Sequence, residues 1–295
     1  MTTRAEIWAG EDCAGIDCAG QWLDLSRPQV MGILNVTPDS FSDGGALFDG
    51  GRLSLDKVLE EAESMVASGA AILDVGGEST RPGATPVSPV EELDRVIPAI
   101  EALRARFDTI LSVDTSTPAV MEAATVAGAG LINDVRALRR EGALQAALAS
   151  GLPVCLMHMA KEPATMQDNP RYEDVVDEVV VFLRQRLQDC LEAGIPRPRI
   201  LLDPGFGFGK TAAHNYALLA QLQDIIGIGQ PVLAGLSRKS MIAAEIHRNM
   251  DQRLPASLAL ATLAASKGAR ILRVHDVRET VDALAMVAAT ERYAG

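Results

Sequence analysis

The sequence predicts an α/β protein folded as a single (β/α)8 TIM barrel, preceded by a short N-terminal extension or hairpin. Three observations carry this expectation. Eight short runs rich in Val, Ile and Leu lack clean polar alternation, as buried parallel strands do. Amphipathic helical stretches separate them. The 295 residues suffice for eight strand–helix units in one domain. A doubly wound open sheet is the alternative. It is expected to carry a G-x-G-x-x-G turn after an early strand, and no such turn is found.

The elements follow in order. Residues 1–29 read as the extension, whose IWAG…QWLDL segments suit a hairpin closing the barrel bottom, and 30–295 read as the barrel domain. VMGILNV (30–36) is the first strand. Leu55, Val58, Leu59, Ala62, Met65 and Val66 then fall on one helical face. AILDVGG (71–77) is the second strand. Ser88-Pro89-Val90-Glu91 starts the next helix, with a serine N-cap, proline at the first helical position and glutamate at N3. TILSVDT (109–115) is the third strand, and Thr117-Pro118 is expected to open a helix in the same way. LINDV (131–135) and PVCLMH (153–158) are the fourth and fifth. Val175, Val176, Val179, Leu183, Leu187 and Leu191 mark a long helix. RILLDPG (199–205), PVLAGLS (231–237) and ARILRVHD (269–276) complete the strands, and Ala283, Leu284 and Val287 lie in the last helix.

Composition narrows the function. Hydrophobic residues make up 48% and aromatics only 4%, so the core must be mostly Ala, Leu, Val and Ile. A net charge of -12 argues against nucleic acid as a partner but leaves room for a local basic pocket. Cysteines 13, 18, 155 and 190 form no C-x-x-C pair, which suits a reduced, cytoplasmic setting. The opening MTTRAEIWAGEDCAG has no apolar h-region, so no signal peptide is expected. No apolar run reaches the roughly 18 residues of a membrane span, so no membrane partner is expected.

LLDPGFGFGKT (201–211) has the glycines, lysine and threonine of a P-loop, but the spacing fails. The first glycine should stand at 204, where Pro204 also removes a backbone N–H. The segment reads instead as the end of strand six, with Asp203 facing a ligand and Lys210 not a phosphate lysine.

In such barrels the active site lies at the C-terminal strand ends. Those ends carry Asn35, Asp74, Asp114, Asn133-Asp134, His158, Asp203, Ser237-Arg238-Lys239-Ser240 and Arg273-Val274-His275-Asp276. Asp134 and Asp276 also suit turn formers or caps. His158 and His275 are equally compatible with packing, and His214 and His247 look like helix-surface residues. Asp114, Asn133 and Asp203 suit a flat ligand edge bearing N–H donors. Lys239, Arg273, His275 and Arg81 suit an anion, and strands seven and eight often hold phosphate in barrels. A helix starting near Ser240 adds N–H groups. The expected ligand is therefore a hydrogen-bonding heterocycle with a phosphate attached. No His/Cys/Asp/Glu set has zinc spacing, and no G-x-S-x-G elbow occurs.

MGILNVTPDSFSDGG (31–45) and DVGGESTRPGA (74–84) closely resemble two signatures of the dihydropteroate synthase family. SVDTS, INDV, MHM, LDPGFGFGK, GLSRKSMI and RVHDVRET follow in that family's order, and the resemblance runs from about Leu25 to the C-terminus. It implies a transferase of folate biosynthesis that joins 4-aminobenzoate to (7,8-dihydropterin-6-yl)methyl diphosphate, with Mg2+ on the diphosphate. It also implies a sulfonamide target and a homodimer. The resemblance places the pterin on Asp114, Asn133, Met157, Asp203, Gly235, Lys239 and Arg273. It places the diphosphate on Asn35, Thr80, Arg81, Arg273 and His275, with Asn35 also meeting the metal. The aminobenzoate falls to Phe41, Pro82, Phe208, Lys239 and Ser240. Catalysis falls to Asn35, Arg81, Lys239, Arg273 and His275. Two regions depart from the pattern: the chain up to about Gln21 has no counterpart, and Ala243-Ala244 and Pro255-Ala256 stand where glycine is frequent.

Overall fold

Strands that are apolar on both faces need cover on both, and this chain supplies it by alternating strand and helix. The computed structural model describes residues 15–37, 47–49, 52–79, 87–160, 166 and 169–293. A hairpin comes first, β1 (Gly15–Cys18) paired antiparallel with β2 (Gln21–Asp24). Then come β3 (Gln29–Asn35), the two-residue strands β4 (Phe48–Asp49) and β5 (Arg52–Leu53), and α1 (Leu55–Ala67). The chain continues through β6 (Ile72–Gly76), α2 (Pro89–Arg106), β7 (Ile110–Asp114), α3 (Pro118–Ala127), β8 (Leu131–Asp134) and α4 (Ala143–Ser150). It proceeds with β9 (Val154–Met157), α5 (Val175–Glu192), β10 (Ile200–Asp203), α6 (Ala212–Ala220) and α7 (Leu222–Ile226). It ends with β11 (Leu233–Ala234), α8 (Ser240–Ile246), α9 (Leu254–Ser266), β12 (Ile271–Val274) and α10 (Val277–Arg292).

The sheet order is β10-β9-β8-β7-β6-β3-β12-β11, with every pairing parallel. A parallel bridge between Leu202 and Val232 joins the two ends, so the eight strands form the expected barrel.

Local signals act largely as read. Ser88 and Glu91 form a reciprocal capping box at the start of α2. The Thr117-Pro118 expectation needs correction. Helix α3 does start at Pro118, but the Thr117 side chain does not cap it. Its Oγ1 donates instead to Glu92 Oε2 at 2.6 Å. The same hydroxyl oxygen accepts from Arg140 Nη1 at 2.8 Å, so side chains rather than the helix N–H groups engage it.

Side chains alternate along a strand, so positions two apart share the barrel interior. Met31, Ile72, Ile110, Leu131, Cys155, Leu201, Leu233 and Ile271 form one apolar cluster with Ile16, Cys18, Leu23 and Leu25. A hairpin therefore floors the barrel; QWLDL supplies its second strand, but its partner is Gly15–Cys18, while the IWAG segment and Cys13 lie outside the described residues. Two residues further along the same strands stand Ile33, Asp74, Ser112, Asn133, Met157, Asp203, Gly235 and Arg273. The interior thus turns from apolar to polar between one layer and the next, toward the C-terminal strand ends.

Candidate functional site

The polar layer is wired together. Arg273, on β12, donates from Nε to Asp74 Oδ2 at 2.6 Å and from Nη2 to Asp114 Oδ2 at 2.8 Å. Asn133 Nδ2 donates to the same Asp74 oxygen at 3.1 Å. Asp74, Asn133 and Asp203 are buried, and Asp114 is half-buried. Burial pushes the Asp114 carboxyl up, Arg273 pulls it back, and the carboxylates of Asp74, Asp134 and Glu78 add to the rise. Asp203 is also raised by burial, opposed by the Gly205 N–H, which donates to its Oδ1 at 2.7 Å. Carboxylates under this strain of desolvation favour a ligand that brings N–H donors to them.

Lys239 enters from the β11 side. Its Nζ donates to Phe206 O and lies 4.3 Å from the centroid of the Phe208 ring. Burial lowers its pKa to about 8 while Asp203 pulls it upward, so the ammonium is charged at neutral pH. Gly207 makes this approach possible. Its φ is +81°, and a Cβ there would lie 2.7 Å from Lys239 Cδ. Gly205 is required for the same reason, since a Cβ would stand 2.0 Å from the His158 carbonyl oxygen.

An apolar wall completes the pocket. Met157 clusters with Val135, Met159 and Met166, and Phe208 packs against them. Gly235 leaves space beside Arg273, its nearest neighbour for an added Cβ being Arg273 Cβ at 4.0 Å. A flat ring has apolar faces to meet here and acceptors along one edge.

The anion side is only partly described. His275 Nδ1 lies 3.1 Å from Ser237 Oγ, and Ser240 is exposed at the start of α8. Asn35 is half-buried at the end of β3, and in the strand register Asn35, Gly76, Asp114 and Asn133 form one row. Phe41, Thr80, Arg81 and Pro82 lie outside the described residues.

Several residues sort differently from their appearance in sequence. Arg238 does not join Lys239 at the pocket. Its backbone is left-handed, φ 56°, and its guanidinium pairs with Asp276. Asp276 is thus an ion-pair partner; it precedes α10 at the N-cap position, but its side chain makes no capping hydrogen bond. Asp134 is a turn former, accepting from Arg136 N and Leu138 N at 2.8 Å each. His158 is a packed residue, 4.8 Å from Phe182 ring to ring, and burial drops its pKa to about 2. His214 caps α6 with Thr211, and His247 is exposed. Asp74 reads in sequence as a strand-end residue; the structure places it in the middle of β6, two strands from β12, and only the side-chain geometry shows that Arg273 reaches it. Closure of the barrel brings Arg273 to it.

No helix among the described residues is long and apolar enough to cross a membrane. No group of three or more His, Cys, Asp or Glu among them is placed to hold a metal ion.

Residues 31–275 match the family model described as pterin binding enzyme. A dihydropteroate synthase from Haemophilus influenzae is 55% identical over 268 residues, covering 91% of this chain and 96% of the relative. The crystal structure of the Yersinia pestis dihydropteroate synthase with a sulfonamide drug complex is 52% identical, with a TM-score of 0.91, covering 94% of this chain and 99% of that one. The Xanthomonas albilineans dihydropteroate synthase with 4-aminobenzoic acid is 51% identical, with a TM-score of 0.87 and coverage of 95% and 98%.

Proposed function

The chain belongs to the dihydropteroate synthase family of pterin-binding enzymes, and on that premise we propose how its own residues carry out the reaction. The enzyme joins 4-aminobenzoate to (7,8-dihydropterin-6-yl)methyl diphosphate, releasing diphosphate and forming 7,8-dihydropteroate. The observation that carries this reading is the polar layer. Asp114, Asn133 and Asp203 supply the edge that a pterin's N–H groups need, and Lys239 and Arg273 stand beside it.

The pterin lies with its N–H edge on Asp114, Asn133 and Asp203 and one face toward the Met157 wall. Lys239 reaches its ring carbonyl or a ring nitrogen, and Gly235 leaves room for the ring beside Arg273. Buried acceptors reject analogues lacking those donors, because each acceptor left unpaired costs about 1–3 kcal/mol. The methylene carbon beside the pterin ring loses diphosphate in a largely dissociative step, since the ring delocalises the positive charge. The aryl amine then attacks that carbon and gives up a proton. It is neutral at pH 7, so the step needs positioning and charge stabilisation more than a strong base. Phe208 and Ser240 seat the aminobenzoate ring and carboxylate, with Phe41 and Pro82 closing the second-substrate site. Asn35, Thr80, Arg81, Arg273 and His275 hold the diphosphate. A sulfonamide, as an aminobenzoate mimic, competes for the same subsite.

Mg2+ fits this donor set in one way. Asn35, half-buried at the end of β3, offers a side-chain oxygen of the hard-donor type that Mg2+ takes alongside substrate phosphates and water. The Asn35 side-chain oxygen is the protein donor toward it. When bound, the ion neutralises the departing diphosphate.

In this reading residues 30–295 are the catalytic domain and 1–29 an extension, within which the hairpin Gly15–Asp24 floors the barrel. The enzyme works in the cytoplasm as a homodimer through α9 and α10, where Leu263 and Met286 are exposed apolar residues, 50% and 65% accessible. Light scattering giving a monomer mass at micromolar concentration sinks the dimer. Formation of 7,8-dihydropteroate from the two substrates, read by mass spectrometry, tests the reaction. Intact pterin diphosphate after prolonged incubation with aminobenzoate and Mg2+ counts against it.

A further inference from the structure

Asp74 belongs to none of the substrate-contacting sets above, yet it joins two of their members. It is fully buried on β6, and its single oxygen Oδ2 accepts from Arg273 Nε at 2.6 Å and from Asn133 Nδ2 at 3.1 Å. The pairing with Arg273 is an ion pair, so the Asp74 oxygens can only accept. That fixes the Asn133 amide. Its nitrogen must face Asp74, and its carbonyl oxygen is left for a donor from elsewhere; none of the hydrogen bonds among the described residues ends on it. The same pairing fixes Arg273. With Nε on Asp74 and Nη2 on Asp114, the guanidinium plane is held from two sides.

A carboxylate present only to balance charge in a core should have both oxygens satisfied, since an unmade buried acceptor is costly. Among the described residues, Asp74 Oδ1 has no hydrogen-bond partner, and neither does the hydroxyl of Ser112, its register partner on β7. Through Oδ2 the hydrogen bonds of Asp74 run to two residues of the proposed pterin site.

We propose that Asp74 is a positioning residue for pterin recognition, orienting the Asn133 amide as an acceptor and the Arg273 guanidinium as a flat cation. The proposal rests on the pterin-pocket reading given above. Loss of the Asp74 charge while keeping its shape, in Asp74→Asn, frees Asn133 to present either end of its amide and frees Arg273 on one side.

The test is a double-mutant cycle on binding of a bare pterin, measured by calorimetry with the wild type, Asp74→Asn, Arg273→Lys and the double variant. Asp74→Asn should weaken pterin binding about tenfold or more. The double variant should be no worse than the worse single one, because Asp74 acts through Arg273. In steady state the KM for the pterin substrate should rise, with the KM for aminobenzoate little changed. Wild-type affinity in Asp74→Asn, or strictly additive losses, overturns the role. If Asp74→Asn does not fold, the wild type still decides. Its Arg273 Nε–H, assigned by its absence in Arg273→Lys, should give a slowly exchanging NMR signal without ligand. Exchange at the rate of an exposed arginine overturns the proposal. A wild-type protein that binds no pterin overturns the functional reading itself, and this inference with it.

Discussion

Lys210 Nζ lies 2.9 Å from His158 Nδ1 and donates to the carbonyl oxygens of Gly205 at 2.9 Å and Phe208 at 3.0 Å. The lysine of the P-loop-like GFGKT segment therefore faces inward. It ties the turn that follows Asp203 at the end of β10, and carries Phe208, to His158 just after β9. His158 is neutral, its pKa lowered by burial to about 2, so its ring nitrogen can accept from the ammonium.

Replacing Lys210 by Met strips the donor from these acceptors. The variant should lose about 2–4 kcal/mol of stability in urea unfolding, as buried polar groups left unpaired do. Purine nucleotide binding should be absent before and after the change. A variant as stable as the wild type contradicts the clasp.

The same lysine sets a pH dependence. Burial lowers Lys210 from 10.5 to about 7 in the folded protein, with Asp203 opposing and Lys239 adding to the shift. Between those values the unfolded chain holds a proton that the folded chain has released. Raising pH therefore stabilises the folded state, and the difference between wild type and Lys210→Met should move in the wild type's favour from about pH 7 toward 10. Unfolding midpoints of both across that range give the answer; a gap that stays flat or moves the other way refutes the assignment.

Asp114→Ala and Asp203→Ala each remove one acceptor from the proposed pterin edge. Each should weaken pterin binding by about 1.5–3 kcal/mol, roughly 10- to 150-fold. Unchanged calorimetric affinity in both removes the basis for placing the pterin there.

Asn35→Ala addresses the other half of the substrate. It should raise the Mg2+ concentration needed for half-maximal activity and weaken the pterin diphosphate, while a bare pterin binds as before. An unchanged Mg2+ titration counts against Asn35 as the metal's protein donor.

The hairpin gives a control that separates fold from function. Leu23 is 3% exposed against the apolar floor layer. Leu23→Ala should cost about 2–5 kcal/mol of stability with little change in either KM, since it lies a layer or more below the site. A large KM effect contradicts the separation of layers.

The strands were legible because each is largely apolar and short: seven predicted runs contain their observed strands, and β3 begins one residue before its run, at Gln29. The strand-end placement of three candidate residues was legible too: Asp114 and Asp203 end β7 and β10, and Asn133 is the penultimate residue of β8. What periodicity could not give was who meets whom. Arg238 and Lys239 are adjacent and alike in charge, yet a left-handed residue at 238 sends one to Asp276 and the other to the pocket. Thr117 and Ser88 precede prolines alike, but Glu92 and Arg140 engage the Thr117 hydroxyl, while Ser88 caps its helix. Asp74 gained its meaning from barrel closure, 199 residues in sequence from Arg273.

The most direct test of the whole account is diphosphate release from (7,8-dihydropterin-6-yl)methyl diphosphate with Mg2+, measured with and without 4-aminobenzoate. The account predicts sustained release that depends on aminobenzoate and saturates with it. Release independent of aminobenzoate, or none from a protein that binds the pterin tightly, would contradict it.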